Sequence, residues 1–279
     1  MTAKTTPIRI RNGDREYLVG KKVAGNPSYQ LYTCSQEGLS TGYLLQIAKD
    51  TAANPAIDRM MYILRLLKKR SDELEEEYSK VKKDPKDCLN YDFGFSHIID
   101  SFLSLDQGGR KVNILSFRNI SDVTQLVPLS NVRKSGLRID LRTSVWLMGK
   151  YLKLLTLVHD QNIAIRYITD TNLLMERDLH YVMVFDWTRA QIFQNVITSD
   201  DRIHDISQAA RAIIHALGGD WITGSIPDVE DDIFLSYTDY LLRLARGGES
   251  KALRAHGTFY EIADTIWKRE FYPFTVKPL

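Results

Sequence analysis

Three oxygen-bearing side chains in the second half of the chain could act together: Asp170, Asn172 and Asp186. Carboxylate and amide oxygens are the ligands that Mg²⁺ prefers, and a carboxylate can also serve as a general base. The apolar runs from Leu173 to Met175 and from Tyr181 to Phe185 predict short strands between them. The structural alternative is that the asparagine closes a loop and the aspartates cap local backbone groups.

The stretch that contains these residues resembles the catalytic loop of the protein kinase family. In that family a long helix leads into a His-Arg-Asp sequence, and an asparagine follows the aspartate by five residues. Here a helix is predicted from Ile139 to His159, and Ile165-Arg166-Tyr167 precedes Asn172 at this spacing. Val184-Phe185-Asp186-Trp187-Thr188 then resembles the family's metal-binding Asp-Phe-Gly segment at the end of a short hairpin, and the resemblance implies that Asn172 and Asp186 lie on adjacent loops.

Two further stretches agree with the resemblance, which covers about residues 15 to 279. His204-Asp205-Ile206 resembles the start of the helix whose aspartate braces the catalytic loop. Trp267 to Thr275 resembles the tail of compact bacterial kinase-like proteins. The resemblance implies an α+β fold of two lobes, with an antiparallel sheet and one helix in the first lobe and a mainly helical second lobe.

The residue at the catalytic-base position departs from the family. Counting back five residues from Asn172 gives Tyr167, where the family has the aspartate that accepts the substrate's proton. A phenol, with a pKa of about 10, is a poor base at neutral pH. Asp170 is the substitute base if the protein is an active enzyme. The alternative is that Asp170 is a loop residue that caps backbone groups.

The phosphate-binding lysine of the family also has no clear counterpart. Bacterial relatives often end the third strand as Lys-Ile-Ala, which puts Gln46 at the lysine position, whereas Lys49 is the alternative. Side chains alternate along a strand, so these two residues face opposite ways. The helix position that should carry the lysine's glutamate partner is Met60 in the first register, and Asp58 is the competing partner for Lys49. We predict that Gln46 faces the cleft with Met60 in packing distance.

Other parts of the family's nucleotide and substrate sites also lack residues here. Gly25 is the one glycine kept from the family's phosphate-covering loop, and Pro27 removes a backbone N–H from it. Asp205 follows Asp186 by only nineteen residues, which leaves little room for a peptide-binding activation segment. Asn172 and Asp186 remain as candidate metal ligands. The resemblance therefore keeps Mg²⁺ and ATP as candidate cofactors, with Gly25, Gln46 and Lys49 as candidate nucleotide-binding residues.

The elements that must position these residues follow from apolar periodicity. In residues 1–118, the predicted first lobe, strands are expected from the alternating runs, and a helix begins at Asn54-Pro55 and passes into an acidic stretch. Residues 119–279, the predicted second lobe, contain further helices from 203 to 217, 233 to 246 and 259 to 268. A hinge is expected near Phe117 to Ser121.

Composition excludes several classes of protein. The chain has 279 residues, 44% of them hydrophobic, which is enough for a sizeable core. A net charge of +2 gives no strong field toward nucleic acid or a membrane, and neither partner is expected. The two cysteines, Cys34 and Cys88, predict neither a disulfide framework nor a zinc site, and they favour a cytoplasmic location.

These observations favour a degenerate kinase-like protein of bacterial or phage type, a pseudokinase that binds or regulates an unknown protein partner. The first alternative is an active ATP-dependent phosphotransferase that uses Lys49, Asp170, Asn172 and Asp186. The second is a kinase-like enzyme that catalyses a different transfer, such as nucleotidylation. The sequence predicts no phosphoryl transfer to generic protein substrates.

Overall fold

The computed structural model describes residues 8–37, 39, 42–229 and 231–279. The contacts divide these residues into two compact units. The first contains the described residues up to Glu76 together with Phe95–Gln125, and the second contains Glu77–Gly94 together with Leu126–Leu279. The predicted lobe boundary after residue 118 stays a prediction, and residues 1–7, 38, 40, 41 and 230 of the predicted lobes lie outside the described part.

The first unit is built on one antiparallel sheet, as predicted. Its six strands have the order β1-β2-β3-β4-β6-β5, and every neighbouring pair is antiparallel. All six residues of the strand Tyr43–Ala48 are buried, whereas the strand Tyr29–Gln36 has only one buried face, as expected for a central strand and for one with a partly solvated side. The strands are β1 (Ile8–Asn12), β2 (Arg15–Gly25), β3 (Tyr29–Gln36), β4 (Tyr43–Ala48), β5 (His97–Ser104) and β6 (Arg110–Ser116).

The two edge strands of the sheet are joined through Asp100. This residue lies at an irregularity of β5, and its carboxylate accepts hydrogen bonds from Asn12 Nδ2 at 2.9 Å and from Tyr17 Oη at 2.9 Å. Burial, followed by the Asp100 hydrogen bond, raises the pKa of Tyr17 to about 12. The carboxylate therefore fixes β1 and β2 against β5, and the sheet curls around an apolar core that includes Leu45 and Val112.

One long helix belongs mainly to the first unit. Helix α1 (Asn54–Ser79) has 26 residues and runs without a break through the acidic stretch. Its buried residues include Ile57, Met60 and Leu64, which lie on one face at helical spacing. Asn54 fixes its start, because its side chain donates to the Gly109 carbonyl and accepts from the Lys111 backbone N–H.

The second unit is mainly helical. Its core is formed by contacts of α3 with α4 and α6, and of α5 with α4 and α6. Each helix has an apolar face that a neighbour covers, so the four bury one another. The helices are α2 (Ser130–Lys134), α3 (Leu141–Asp160), α4 (Ser199–Ala216), α5 (Leu235–Ala245) and α6 (Ala252–Ile266).

Short strands in the second unit hold its loops in place. The strands β7 (Val127–Pro128), β10 (Leu173–Glu176) and β11 (Tyr181–Val184) form a three-stranded sheet, which contains the predicted hairpin. Two small pairs complete the set, β9 (Ile163–Ala164) with β12 (Gln191–Ile192) and β8 (Leu137–Ile139) with β13 (Val276–Pro278).

For two helices, the first residue predicted from the sequence is too late. Helix α4 begins at Ser199 rather than 203, because the Thr198 hydroxyl accepts a hydrogen bond from the Asp201 backbone N–H and caps it. Helix α6 begins at Ala252 rather than 259, with Gly257 inside it. No helix among the described residues is long and apolar enough to span a membrane.

Candidate functional site

The segment that follows α3 is fixed by hydrogen bonds to a buried carboxylate on α4. Asp205 accepts hydrogen bonds from the backbone N–H groups of Ile165 at 2.7 Å and Arg166 at 2.8 Å. His159 Nε2 lies 3.3 Å from the same carboxylate. Arg166 has a left-handed backbone, with φ of 60°, a conformation that few residues other than glycine adopt. Asp205 therefore stabilises an unusual loop conformation.

Asn172 joins this loop to the segment after β11. Its Nδ2 donates to the carbonyls of Tyr167 at 2.6 Å and Asp186 at 3.0 Å. Its Oδ1 accepts the Asp186 backbone N–H at 2.6 Å. The side chain is 4% exposed, so these bonds form away from water. The amide of Asn172 therefore makes three hydrogen bonds, which join the loop before β10 to the segment after β11.

Asp186 caps the turn that follows it. Its Oδ1 accepts hydrogen bonds from the Thr188 backbone N–H at 2.9 Å and from the Thr188 hydroxyl at 2.6 Å. The hairpin brings Asn172 and Asp186 together. One side-chain oxygen of each already accepts a hydrogen bond from a protein donor. A metal bound there would have to share or displace these donors. Among the described residues, no group of three or more histidine, cysteine or acidic side chains is arranged to hold a metal ion. Metal binding by this pair stays a prediction.

Tyr167 occupies the position where the sequence predicted the lost aspartate. The guanidinium of Arg189 lies over its ring, with 4.4 Å between Cζ and the ring centroid. This is the geometry of a cation–π contact. Arg189 is exposed and follows Thr188 directly in the chain. A positive charge therefore covers the ring of Tyr167.

Asp170, the candidate substitute base, is paired with a histidine on α4. Its Oδ2 lies 3.0 Å from His215 Nδ1, and the Asp170 carbonyl accepts the Ser130 backbone N–H. The aspartate thus holds the loop to α2 and α4. Its role as a base stays a prediction, and the contact with His215 adds a second titratable group at this position.

In the first unit, Gln46 lies in a buried, uncharged cluster. Its Nε2 is 3.3 Å from the Met60 sulfur, and its Oε1 is 3.3 Å from Asn113 Nδ2. Gln46, Met60 and Asn113 are each 0% exposed. Asn113 also contacts the Ile57 carbonyl at 3.4 Å, while its Oδ1 accepts the Ser101 hydroxyl. The predicted contact between Gln46 and Met60 is confirmed.

Lys49 has a different environment. It lies just past the end of β4, its side chain is exposed, and its backbone N–H donates to the Ser28 carbonyl. Asp58, its proposed partner, instead pairs with Lys111 Nζ at 2.7 Å. The alternative alignment, which puts Lys49 at the lysine position, predicts an ion pair of Lys49 with Asp58, and Asp58 pairs with Lys111 instead. Which of Gln46 and Lys49 contacts a nucleotide stays a prediction.

The candidate phosphate-covering loop is an ordinary tight turn. Gly25 ends β2 and pairs with Gln30, and the Asn26 side chain accepts the backbone N–H groups of Ser28 and Tyr29. Two N–H groups of the turn are thus already bonded within it. The role of Gly25 in nucleotide binding stays a prediction.

Three residues that contact the predicted site residues were not predicted from the sequence. His215 and Arg189 lie far along the chain from the groups they contact, and no local pattern marks them. Asn113 could have been found, because it is a polar residue within the apolar run of β6. A buried amide in such a strand requires polar partners, and Gln46 is one of them.

Comparison with known proteins identifies the fold. No protein-family model matches the sequence, and no curated protein matches it. Among the solved structures with a similar fold is the kinase domain of PknI from Mycobacterium tuberculosis, determined as a double mutant. The two share 10% sequence identity with a TM-score of 0.52, over 88% of this chain and 95% of that one. The chain therefore has a protein-kinase-like α+β fold.

Proposed function

We propose that this chain is a pseudokinase, a non-catalytic module on a kinase-like fold that binds or regulates a protein partner. The observation that carries the proposal is the neutral cluster of Gln46, Met60 and Asn113. In the family that the sequence resembles, the first two positions hold a lysine and a glutamate that form an ion pair. Both charges are missing here, and the two replacements contact each other.

Loss of both charges at once is physically coherent. Removing one member of a buried ion pair leaves an unpaired charge and costs about 3–5 kcal/mol, whereas two neutral groups of similar size can replace the pair without loss. The stability of the sheet and helix is then kept, but a positive charge for the phosphates is not supplied. Such charges typically contribute a few kcal/mol to stabilising a phosphoryl-transfer transition state.

The loop residues support the same proposal. Tyr167 replaces the carboxylate base, and Arg189 covers its ring. Asn172 and Asp186 make hydrogen bonds that explain their presence without a metal. Loop closure and turn capping are enough to select an asparagine and an aspartate at these positions.

The alternative is an active phosphotransferase that uses Lys49, Asp170, Asn172 and Asp186 with Mg·ATP. It requires Lys49 to reach the phosphates and Asp170 to act as a base beside His215. It also requires Asp186 to bind a metal while Thr188 donates to its carboxylate. The two proposals differ most clearly in whether bound ATP is turned over, because a pseudokinase that keeps Asn172 and Asp186 as metal ligands would still bind ATP with Mg²⁺.

Thermal unfolding with nucleotide tests the proposal. The wild-type chain would be heated alone, with ATP, and with ATP plus Mg²⁺ or Mn²⁺, and Asp186→Ala would be treated in parallel. A ligand at 100 times its Kd adds about 2.7 kcal/mol to the free energy of unfolding. We expect the metal to add nothing to any effect of ATP. A metal-dependent increase that disappears in Asp186→Ala would show that Asp186 binds a metal, contrary to this expectation, and would leave phosphoryl transfer to separate the pseudokinase from the active enzyme.

A further inference from the structure

A cavity of about 570 Å³ in the second unit lies outside the residues discussed as catalytic or metal-binding, except for Asp170. The catalytic-loop segment, α2, the C-terminal part of α4 and the turn after it form its walls. Its charged and aromatic lining residues are Arg133, Asp170, Arg211, His215, Asp220 and Trp221. The volume is in the range of sites for small molecules.

Arg211 is fixed at one wall of this cavity. Its guanidinium lies over the Trp221 ring, with 3.9 Å between Cζ and the ring centroid. Its Nε donates to the Ala245 carbonyl, the last residue of α5, at 2.8 Å. Stacking and a backbone contact therefore hold the planar group in one orientation. Its terminal nitrogens make no hydrogen bond to another described residue.

Arg133 is held in a similar way at another wall. Its Nη1 donates to the His215 carbonyl in the last turn of α4, at 3.0 Å. Neither Arg133 nor Arg211 forms an ion pair with a carboxylate of the described residues. Each guanidinium has five N–H donors, and each uses one on a protein carbonyl. Helix C-termini attract positive charge, so capping explains why each arginine is anchored, but not its other donors.

The acidic groups of the cavity are already engaged. Asp170 lies against His215 Nδ1, and Asp220 Oδ1 accepts the Ile222 backbone N–H at 2.8 Å. The two arginines of the cavity thus have N–H donors that bond to no described residue. Its two aspartates, in contrast, already contact polar groups of the protein. Its formal charge is near zero, which disfavours a polyanion. A small ligand that supplies acceptors fits this arrangement best.

We propose that this cavity binds a small ligand carrying a single oxyanion group, either a phosphoryl group or a carboxylate. The oxyanion would lie between Arg133 and Arg211, whose fork-like donors match the geometry of both groups. A hydroxyl or amine of the ligand would contact the Asp170–His215 pair. This proposal does not depend on the loss of catalysis, because the cavity excludes Gln46, Tyr167 and Asp186.

Trp221 provides a local test, because its indole N–H resonance reports on the ring that contacts Arg211. The full chain, labelled with ¹⁵N, would be titrated separately with inorganic phosphate, glycerol 3-phosphate and lactate, each of which carries one oxyanion group, and Trp221→Phe would assign the resonance. We expect a saturable shift of this resonance with at least one ligand. Arg211→Gln and Arg133→Gln should each weaken binding about ten-fold, which corresponds to one charge-assisted hydrogen bond. Arg65→Gln, an exposed arginine on α1, is the matched control and should leave binding unchanged.

The three ligands distinguish the two oxyanions. Binding of phosphate and glycerol 3-phosphate alone assigns a phosphoryl group, binding of lactate alone assigns a carboxylate, and binding of all three assigns a site that accepts either oxyanion. Arg211→Lys keeps the charge and serves if Arg211→Gln does not fold, which the remaining tryptophan resonances would show. No saturable shift with any ligand at a Kd below about 1 mM would overturn the proposal. Equal affinity in wild type, Arg133→Gln and the Arg211 variant that folds would also overturn it.

Discussion

Gln46 is the residue whose replacement tests the neutral cluster most simply. In Gln46→Lys, an ammonium would be placed beside Met60 and Asn113, and no carboxylate of the described residues bonds to this position. Burying an uncompensated charge is costly, so we expect a loss of about 3 kcal/mol in the free energy of unfolding, measured by chemical denaturation. Lys49→Gln is the control. Lys49 is exposed, and its replacement should change stability by less than about 0.5 kcal/mol.

A second substitution checks the reason for that loss. Adding Met60→Glu to Gln46→Lys supplies the missing partner and should recover part of the lost stability. The two changes are therefore expected to be strongly non-additive. If Gln46→Lys alone is as stable as the wild type, the cluster is not the closed, uncharged environment described above.

Asn172 tests whether loop closure is a structural requirement. Asn172→Ala removes the hydrogen bonds to Tyr167 and Asp186 and leaves buried backbone groups without partners. We expect a loss of about 2–4 kcal/mol in the free energy of unfolding in the absence of any metal or nucleotide. Asn131→Ala, at an exposed position on α2, is the control. A neutral Asn172→Ala would mean that the residue is kept for something other than closing the loop.

At the scale of elements, the contact between α3 and α6 depends on a glycine. A Cβ added at Gly149 would clash with the Tyr260 hydroxyl oxygen and would lie 2.8 Å from its ring carbon Cζ. Replacing glycine by alanine inside a helix normally gains about 1 kcal/mol. Overpacking costs about 1–3 kcal/mol, and here a ring must move. We therefore expect Gly149→Ala to be destabilising in thermal unfolding.

Gly257 on α6 is the matched control, since an added Cβ there meets nothing within 4 Å. Gly257→Ala should be stabilising through helix propensity alone. Combining Gly149→Ala with Tyr260→Phe removes the closest atom and should recover part of the loss. Destabilisation by both glycine replacements would assign the effect to something other than packing.

The start of α6 depends on the charge of Glu249. Hydrogen bonds from Arg254 are the main cause that lowers the pKa of Glu249 to about 2. Burial opposes this effect, and the backbone N–H groups of Lys251 and Ser250 assist it. A lowered pKa means that the carboxylate contributes stability above about pH 4.5, and that this contribution is lost as the pH falls toward 2. Glu249→Gln should therefore be less stable than the wild type at pH 7, with a difference that shrinks between pH 4.5 and 2.

Denaturation across this pH range measures that difference. Glu261→Gln, an exposed position on the same helix, should follow the wild type at every pH. A gap between Glu249→Gln and the wild type that stays constant from pH 7 to 2 would contradict a role for the carboxylate charge.

At the scale of the whole molecule, local patterns and the family resemblance together predicted the fold well. Alternation in the first half predicted its strands, and the resemblance implied both the antiparallel sheet and the juxtaposition of Asn172 and Asp186. The contact of Gln46 with Met60 followed from considering both partners of a lost ion pair together. The starts of α4 and α6 were missed, because Thr198 is an isolated cap and the alanine-rich stretch before Phe259 contains a glycine.

The remaining site contacts could not be predicted because they join distant parts of the chain. Asp170 and His215 are 45 residues apart, and the stack of Arg189 on Tyr167 depends on the turn that Asp186 caps. Neither contact leaves a periodic signal in the sequence. The same is true of Arg211 and Trp221, whose stacking depends on how α4 ends.

Phosphoryl transfer is the most direct test of the central claim, that this kinase-like fold lacks kinase chemistry. Radiolabelled ATP would be incubated with the chain at saturating Mg²⁺ and Mn²⁺, with generic protein acceptors and with the chain itself as acceptor. The neutral Gln46 cluster and the tyrosine at the base position predict no label above that of Asp186→Ala. Label transfer by the wild type that disappears in Asp186→Ala would contradict the account, and a further loss in Asp170→Asn would identify the base.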